Sequence, residues 1–168
     1  MNIKAILFPT DFSEFNDAAL EYASRLAAES GAMLYIVHAD DMEQVAAVMV
    51  DSGYPYPSPW DEEGRREAHR KLEKVLPTVP GVKYQHCYLR GTPTGEIVAF
   101  AEQQDVDLIV MASHGRTGLR RLLMGSTTEG VMRQAPCPVL IVKQPATEES
   151  QQEQEDLEHF PSQAASHG

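Results

Sequence analysis

The chain has 168 residues, 42% of them hydrophobic and 23% charged, and its 14 Lys and Arg stand against 25 Asp and Glu for a formal net charge of −11. That length suits one domain with a sizeable core, and the acidic balance argues against a nucleic-acid partner, whose phosphates need a basic surface. No stretch approaches the ~18 apolar residues of a membrane span, the first apolar run is too short for a signal peptide, and Cys87 and Cys137 form no C-x-x-C, so they read as reduced core-lining thiols of a cytoplasmic protein.

Residues 3–8 are a short apolar run and the first expected strand; Pro9-Thr10-Asp11 ends it. Ser13 can cap the next helix by accepting from its free amides. Phe15, Ala19, Tyr22 and Leu26 recur at helical spacing and predict its buried face. Ser30-Gly31 ends that helix, Gly31 being suited to a left-handed position. Residues 33–37 read as the second strand, ending near His38-Ala39, with His38 taken as structural. Residues 40–60 form a long connection, rich in Pro and Tyr over its second half and holding the only Trp. Loops of that length are lids, binding loops, disordered segments or excursions packed on their own aromatics. Residues 61–76 are amphipathic, with Ala68, Leu72, Val75 and Leu76 on one face. Residues 82–89 alternate as an edge strand does. Gly91-Thr92-Pro93 opens a helix that turns Ile97, Ala101 and Phe100 inward.

Residues 106–112 are apolar except for Asp107, the pattern of a strand buried on both faces. A loop of small residues follows, and a helix is expected from Gly125-Ser126 to about Gln134, stopped by Pro136 and Pro138. Residues 139–142 are the last strand. Strands alternating with helices imply right-handed crossovers and a parallel sheet, here a three-layer, doubly wound α/β domain of five strands. The pattern alone does not order the strands.

The strand, glycine-bearing loop and helix over 106–134 have the makings of an anion site. Glycine lets a backbone approach a phosphate closely. The first amides of a helix lack internal partners and lie at the positive end of its dipole. Gly125, Ser126 and Thr127 would put amides and two hydroxyls there, with Arg116, Arg120 and Arg121 near. The plainer alternative is a loop with a glycine turn and a serine cap. His114, next to Ser113 and with no partner acid close in sequence, reads as a satisfied loop histidine sooner than a functional one. No Gly-Lys-Ser/Thr of a phosphate loop occurs. Met111-Ala112-Ser113-His114-Gly115 lacks the first glycine of a nucleophile elbow.

The same stretch resembles the universal stress protein family, whose nucleotide-binding members carry G-x2-G-x9-G-[ST] here. The matching positions are Ala112, Gly115, Gly125 and Ser126, with alanine in place of the first glycine. Phe8-Pro9-Thr10-Asp11-Phe12-Ser13, Gly91-Thr92-Pro93, Glu96-Ile97 and the run from Ala135 to Val142 extend the resemblance over about residues 2–143. It implies strand order 3-2-1-4-5 in a Rossmann-like adenine-nucleotide-binding fold, with the switch point between strands one and four. It also implies a nucleotide at Pro9, Thr10, Asp11, Ala39, Met111, Ala112, His114, Gly115, Arg116, Thr117, Gly118, Gly125, Ser126 and Thr127. The implied cofactor is ATP or another adenine nucleotide, with Mg²⁺ when bound; no dedicated metal ligands are expected, and a metal would meet Asp11 only through the nucleotide.

The expected role is a stress-response regulator, at most a slow ATPase. The alternative is a family member that binds no nucleotide and works as a homodimeric interaction module. The expected partner is a second copy, paired through residues 138–143, with no nucleic acid and no membrane. Residues 1–143 are expected to form the domain, and 144–168, which carry six acids and no Lys or Arg, a disordered tail.

Overall fold

The computed structural model describes residues 3–40, 62–113 and 125–143. The expectations for the 41–61 connection, the 114–124 loop and the 144–168 tail fall outside them. The elements in chain order are β1 (Ala5–Pro9), a 3-10 turn (Glu14–Asn16), α1 (Asp17–Ser30), β2 (Met33–Asp40), α2 (Glu62–Glu73), β3 (Tyr84–Arg90), α3 (Pro93–Gln103), β4 (Leu108–Ala112), α4 (Ser126–Gln134) and β5 (Val139–Val142). They form one five-stranded sheet in the order β3-β2-β1-β4-β5, with every pairing parallel. The expected fold and strand order are both observed.

β1 lies at the centre and is buried along its whole length. Its alternate side chains feed two cores. Ile6 and Phe8 meet Ala19, Ala23 and Ala27 of α1 and Leu72 of α2. Leu7 meets Ile97 and Ala101 of α3 and Val131 of α4. Full burial of one such side chain contributes on the order of 2 kcal/mol, so the β1 side chains anchor both helical layers at once.

The buried face of α1 differs from expectation. Ala19, Ala23, Ser24 and Ala27 face inward, while Tyr22 is 56% exposed. Residues 19, 23 and 27 form one small-residue stripe at i, i+4 spacing, which lets α1 sit close to the sheet. Tyr22 lies about 100° round the helix from Ala23, off that line of closest approach. Gly31 takes φ 71° and its amide closes on the Ala27 carbonyl, as foreseen. β2 runs to Asp40, beyond the expected end, because β3 continues to pair with it as far as Asp40↔Arg90. Leu76, assigned to the buried face of its helix, is 52% exposed because α2 stops at Glu73. Cys87 and Cys137 are free and half-buried against the α3/α4 core, and burial raises both thiol pKa values.

Asp107, the one charge in the fourth apolar run, stands just before β4. Its Oδ2 accepts from the amides of Lys4 at 2.7 Å and Ala5 at 3.0 Å, and its own amide donates to the Ala5 carbonyl at 2.9 Å. The carboxylate thus satisfies amides at the start of β1 and sets the register of the β1–β4 ladder. The amides of Lys4 and then Ala5 hold its pKa below the ordinary aspartate value. A lowered folded-state pKa means that the stabilisation is complete above the unfolded carboxyl's range. It is lost as pH falls through the folded value. Asp107→Asn keeps an acceptor and removes the charge. Its melting temperature should lie below that of the parent at neutral pH, and the gap should close as pH drops below about 4. Thermal melts at several pH values would show it; a gap independent of pH would refute the assignment.

Candidate functional site

The crevice opens where β1 and β4 part. Their register ends at Leu7↔Ile109, whereas β1 stays paired with β2 as far as Pro9↔Val37. The amide of Thr10 donates to the Val37 carbonyl at 2.8 Å, so by strand alternation residue 9 faces β4. It is a proline and has no hydrogen to give, so the ladder stops. Past this point the chain is free to turn, and the two carboxyl ends diverge.

Residues 10–16 fold into a tightly bonded exit loop. The Asp11 Oδ1 accepts from the Ser13 amide at 3.0 Å, the Ser13 hydroxyl at 2.7 Å and the Asn16 Nδ2 at 2.5 Å. This is an Asx-type turn. It also changes the expectation for Ser13: its hydroxyl caps no helix, but donates to Asp11 and accepts from the Asn16 Nδ2 at 3.1 Å. The Thr10 hydroxyl accepts from the Phe12 amide at 3.0 Å. Phe12 sits at φ 65°, a left-handed conformation that costs an L-residue about 1–2 kcal/mol. Its ring lies 4.1 Å from that of His38, and the His38 Nδ1 donates to the Thr10 carbonyl at 2.8 Å. A carbonyl only accepts, so Nδ1 carries the hydrogen. Tyr88 follows His38, and His69 stacks on Tyr88 at 4.4 Å. The Tyr88 hydroxyl donates to the buried carboxylate of Asp40. Burial first, and then this bond to Asp40, push the phenol pKa well up.

The facing wall is the end of β4 and the start of α4. Met111, Ala112 and Ser113 are buried. Ser113 donates to the Val142 carbonyl at 3.0 Å, and its own carbonyl accepts from Gly125 at 3.2 Å. The Thr128 hydroxyl donates to the Ala112 carbonyl at 3.2 Å. Two bonds thus hold the first turn of α4 against the strand end, and among the described residues no side chain caps that helix end.

Ala112 is the last residue of β4, extended and paired with Val142. The non-glycine residues at positive φ among those described are Phe12 and Asp105. An alanine therefore fits at 112 without backbone strain.

The crevice thus brings together Pro9, Thr10, Asp11, Met111, Ala112, Gly125, Ser126 and Thr127. Ala39, near the end of β2, shares the alternation of Tyr35 and Val37 and so lies on the α3/α4 side of the sheet, where Met111 also packs. His114, Gly115, Arg116, Thr117 and Gly118 lie outside the described residues. Phe12 and Thr128 were not singled out by their pattern. For Thr128 a signal existed: it and Val131 stand three apart and face inward together. A separate cleft of about 320 Å³ lies between α1 and α2, lined by Phe8, Thr10, Phe12, Asp17, Lys71 and Lys74 among others. It shares the exit loop but opens on the opposite layer from α4. Among the described residues, no group of three His, Cys, Asp or Glu could hold a metal, and no helix is long and apolar enough to cross a membrane.

The family model described as the universal stress protein family matches residues 2–143. Universal stress protein MJ0531 of Methanocaldococcus jannaschii is 38% identical over 145 residues, covering 86% of this chain and 85% of its own length. Among solved structures, the protein MJ0577, from the same organism, superposes with a TM-score of 0.73 at 31% identity, over 88% of this chain and all of the other. A universal stress protein of Archaeoglobus fulgidus, solved in complex with dAMP, superposes with a TM-score of 0.61 at 24% identity, over 85% of this chain and all of its own, a likeness of fold.

The exit loop makes its own test. Phe12→Ala and Phe12→Gly both remove the ring from His38, but only alanine keeps the left-handed penalty. The glycine variant should be the more stable by about 1 kcal/mol in denaturant unfolding. Equal stabilities would show that the positive φ is not held in solution.

Proposed function

The chain belongs to the universal stress protein family, and we propose that it binds ATP or another adenine nucleotide in the crevice between β1 and β4 and acts as a stress-response regulator. One observation carries the reading: the amino end of α4, which no side chain among the described residues caps, stands at the mouth of the crevice, fixed there by Gly125 and Thr128. Free amides at the positive end of a helix suit phosphate oxygens. Gly125, Ser126 and Thr127 would take the phosphates, with Gly115 to Gly118 completing the cradle. Pro9, Ala39 and Met111 would border the base. Thr10 and Asp11 would meet the ribose side, and Mg²⁺ would enter with the phosphates.

The extended backbone at Ala112 supports this reading over that of a member binding no nucleotide, since an alanine there imposes no distortion. The A. fulgidus protein shares the fold and holds dAMP; that likeness speaks to the fold, and the case for this chain rests on the helix end. Any hydrolysis would be slow or dependent on a partner. Calorimetric titration with ATP and Mg²⁺ should show saturable binding. Gly125 has φ −57° and ψ 143°, which any residue adopts, so its missing side chain serves space rather than conformation. Gly125→Val should therefore abolish binding while the fold survives. Undiminished binding in that variant would remove the phosphates from this helix end.

We further propose a two-fold dimer through residues 138–143, in the cytoplasm. β5 is an edge strand and Leu140 is 37% exposed on it. An apolar edge is a template for another strand, and an antiparallel pair about a two-fold axis closes the assembly. Light scattering should give about twice the chain mass, falling toward one chain mass in Ile141→Pro with the circular dichroism unchanged. A monomeric parent at high micromolar concentration would refute the dimer.

A further inference from the structure

Gly130 sits in the middle of α4, where glycine is a poorer helix residue than alanine. Its backbone has no need of glycine, since it is helical. Its surroundings do. A Cβ there would lie 2.7 Å from the Thr94 Oγ1, 2.8 Å from the Thr94 Cγ2 and 3.3 Å from the Thr94 Cβ. Thr94 is the second residue of α3, so this is the point where α4 presses on α3. Rotating Thr94 brings no relief. Threonine fills two of its three staggered γ positions, and both of the positions toward Gly130 are now occupied. Every rotamer therefore leaves at least one γ atom in the way.

α4 is only nine residues long. It is held from one side by Thr128 and Gly125 on the end of β4 and from the other by α3. A side chain at 130 would have to move the helix by a substantial part of the 0.7 Å that separates 2.7 Å from ordinary contact at 3.4 Å. Ser126 is one turn away, about 6 Å along the axis, so its amide moves with the helix. The two bonds that register α4 on β4 are both 3.2 Å long, with little slack before they fail.

We infer that Gly130 is a positioning residue, whose missing side chain sets where the first amides of α4 stand relative to β4 and hence how well they meet a phosphate. The inference rests on the nucleotide reading above for its effect on affinity; its effect on the helix position does not.

The test compares the parent chain with Gly130→Ala, Thr94→Ala and the double variant. ATP affinity is read by calorimetry and the Ser126 and Thr127 amide shifts by NMR without ligand. Gly130→Ala should weaken ATP binding by about tenfold or more, since anion sites tolerate only about 0.5 Å of misplacement, and should move both amide resonances. Thr94→Ala alone should stay within about twofold, because it only removes atoms from the contact. In the double variant most of the loss should be recovered and the two amide shifts should return toward the parent. Better helix propensity makes a purely structural effect of alanine small or stabilising, and it would not be rescued at Thr94. A folded Gly130→Ala variant with parental affinity and parental shifts would overturn the inference alone. Parental shifts with no ATP binding by any chain would overturn both readings. Displaced shifts, restored by Thr94→Ala, with no binding by the parent would uphold the positioning role and sink the nucleotide.

Discussion

The β1–β4 ladder is the constraint on which the site depends. β1 is buried along its whole length and joins the two cores, yet its last residue is a proline that faces β4 and cannot donate. At the centre of a parallel sheet that would be a defect. At the final position it becomes the place where the sheet divides. Two chain ends leave in different directions, and the gap between them is floored by buried backbone and walled by the exit loop and α4. The exit loop carries a strained phenylalanine that its neighbours hold in place. The Thr10 hydroxyl, the Asp11 carboxylate and the His38 ring each fix one part of it. Strain over-determined in this way clusters at functional sites.

Much of this architecture is legible in the sequence because its signals are local and mutually consistent. The start of α4 and the limits of β5 fall where Gly125, Pro136 and Pro138 place them. The two-sided burial of β4 follows from its unbroken apolar run. The strand order is not a local property; it came with the family resemblance, which spans most of the chain. What escaped the pattern depends on a distant neighbour. Tyr22 looks like a core residue until the alanine stripe of α1 is seen to set the helix spacing. Phe12 has no local reason to adopt positive φ. Ser13 has every local reason to cap a helix, and its hydroxyl is instead bonded between Asp11 and Asn16.

Asp107 and Ala112 show the same lesson at opposite ends of β4. Each reads as a blemish in its stretch, one a charge among apolar residues, the other an alanine where the motif that the stretch resembles has glycine. In the fold the charge joins β4 to the start of β1, and the alanine completes an extended strand whose carbonyl receives Thr128. The first strengthens the pairing that the proline later ends. The second sits in ordinary extended backbone at the crevice floor.

The bond from Lys4 to Asp107 spans 103 residues. A parallel sheet with β1 at its centre must close a loop of that length before β4 can dock, and such long-range closure is slow compared with local pairing. During synthesis, β1, β2 and β3 can assemble first, with one flank of β1 still open. The crevice is absent from that intermediate, because only one of its walls has emerged. A site in this crevice would therefore be completed only at the last stage of chain closure. Any molecule held in the crevice clamps together segments that are remote in sequence and opposes the reopening of the sheet along the β1–β4 line.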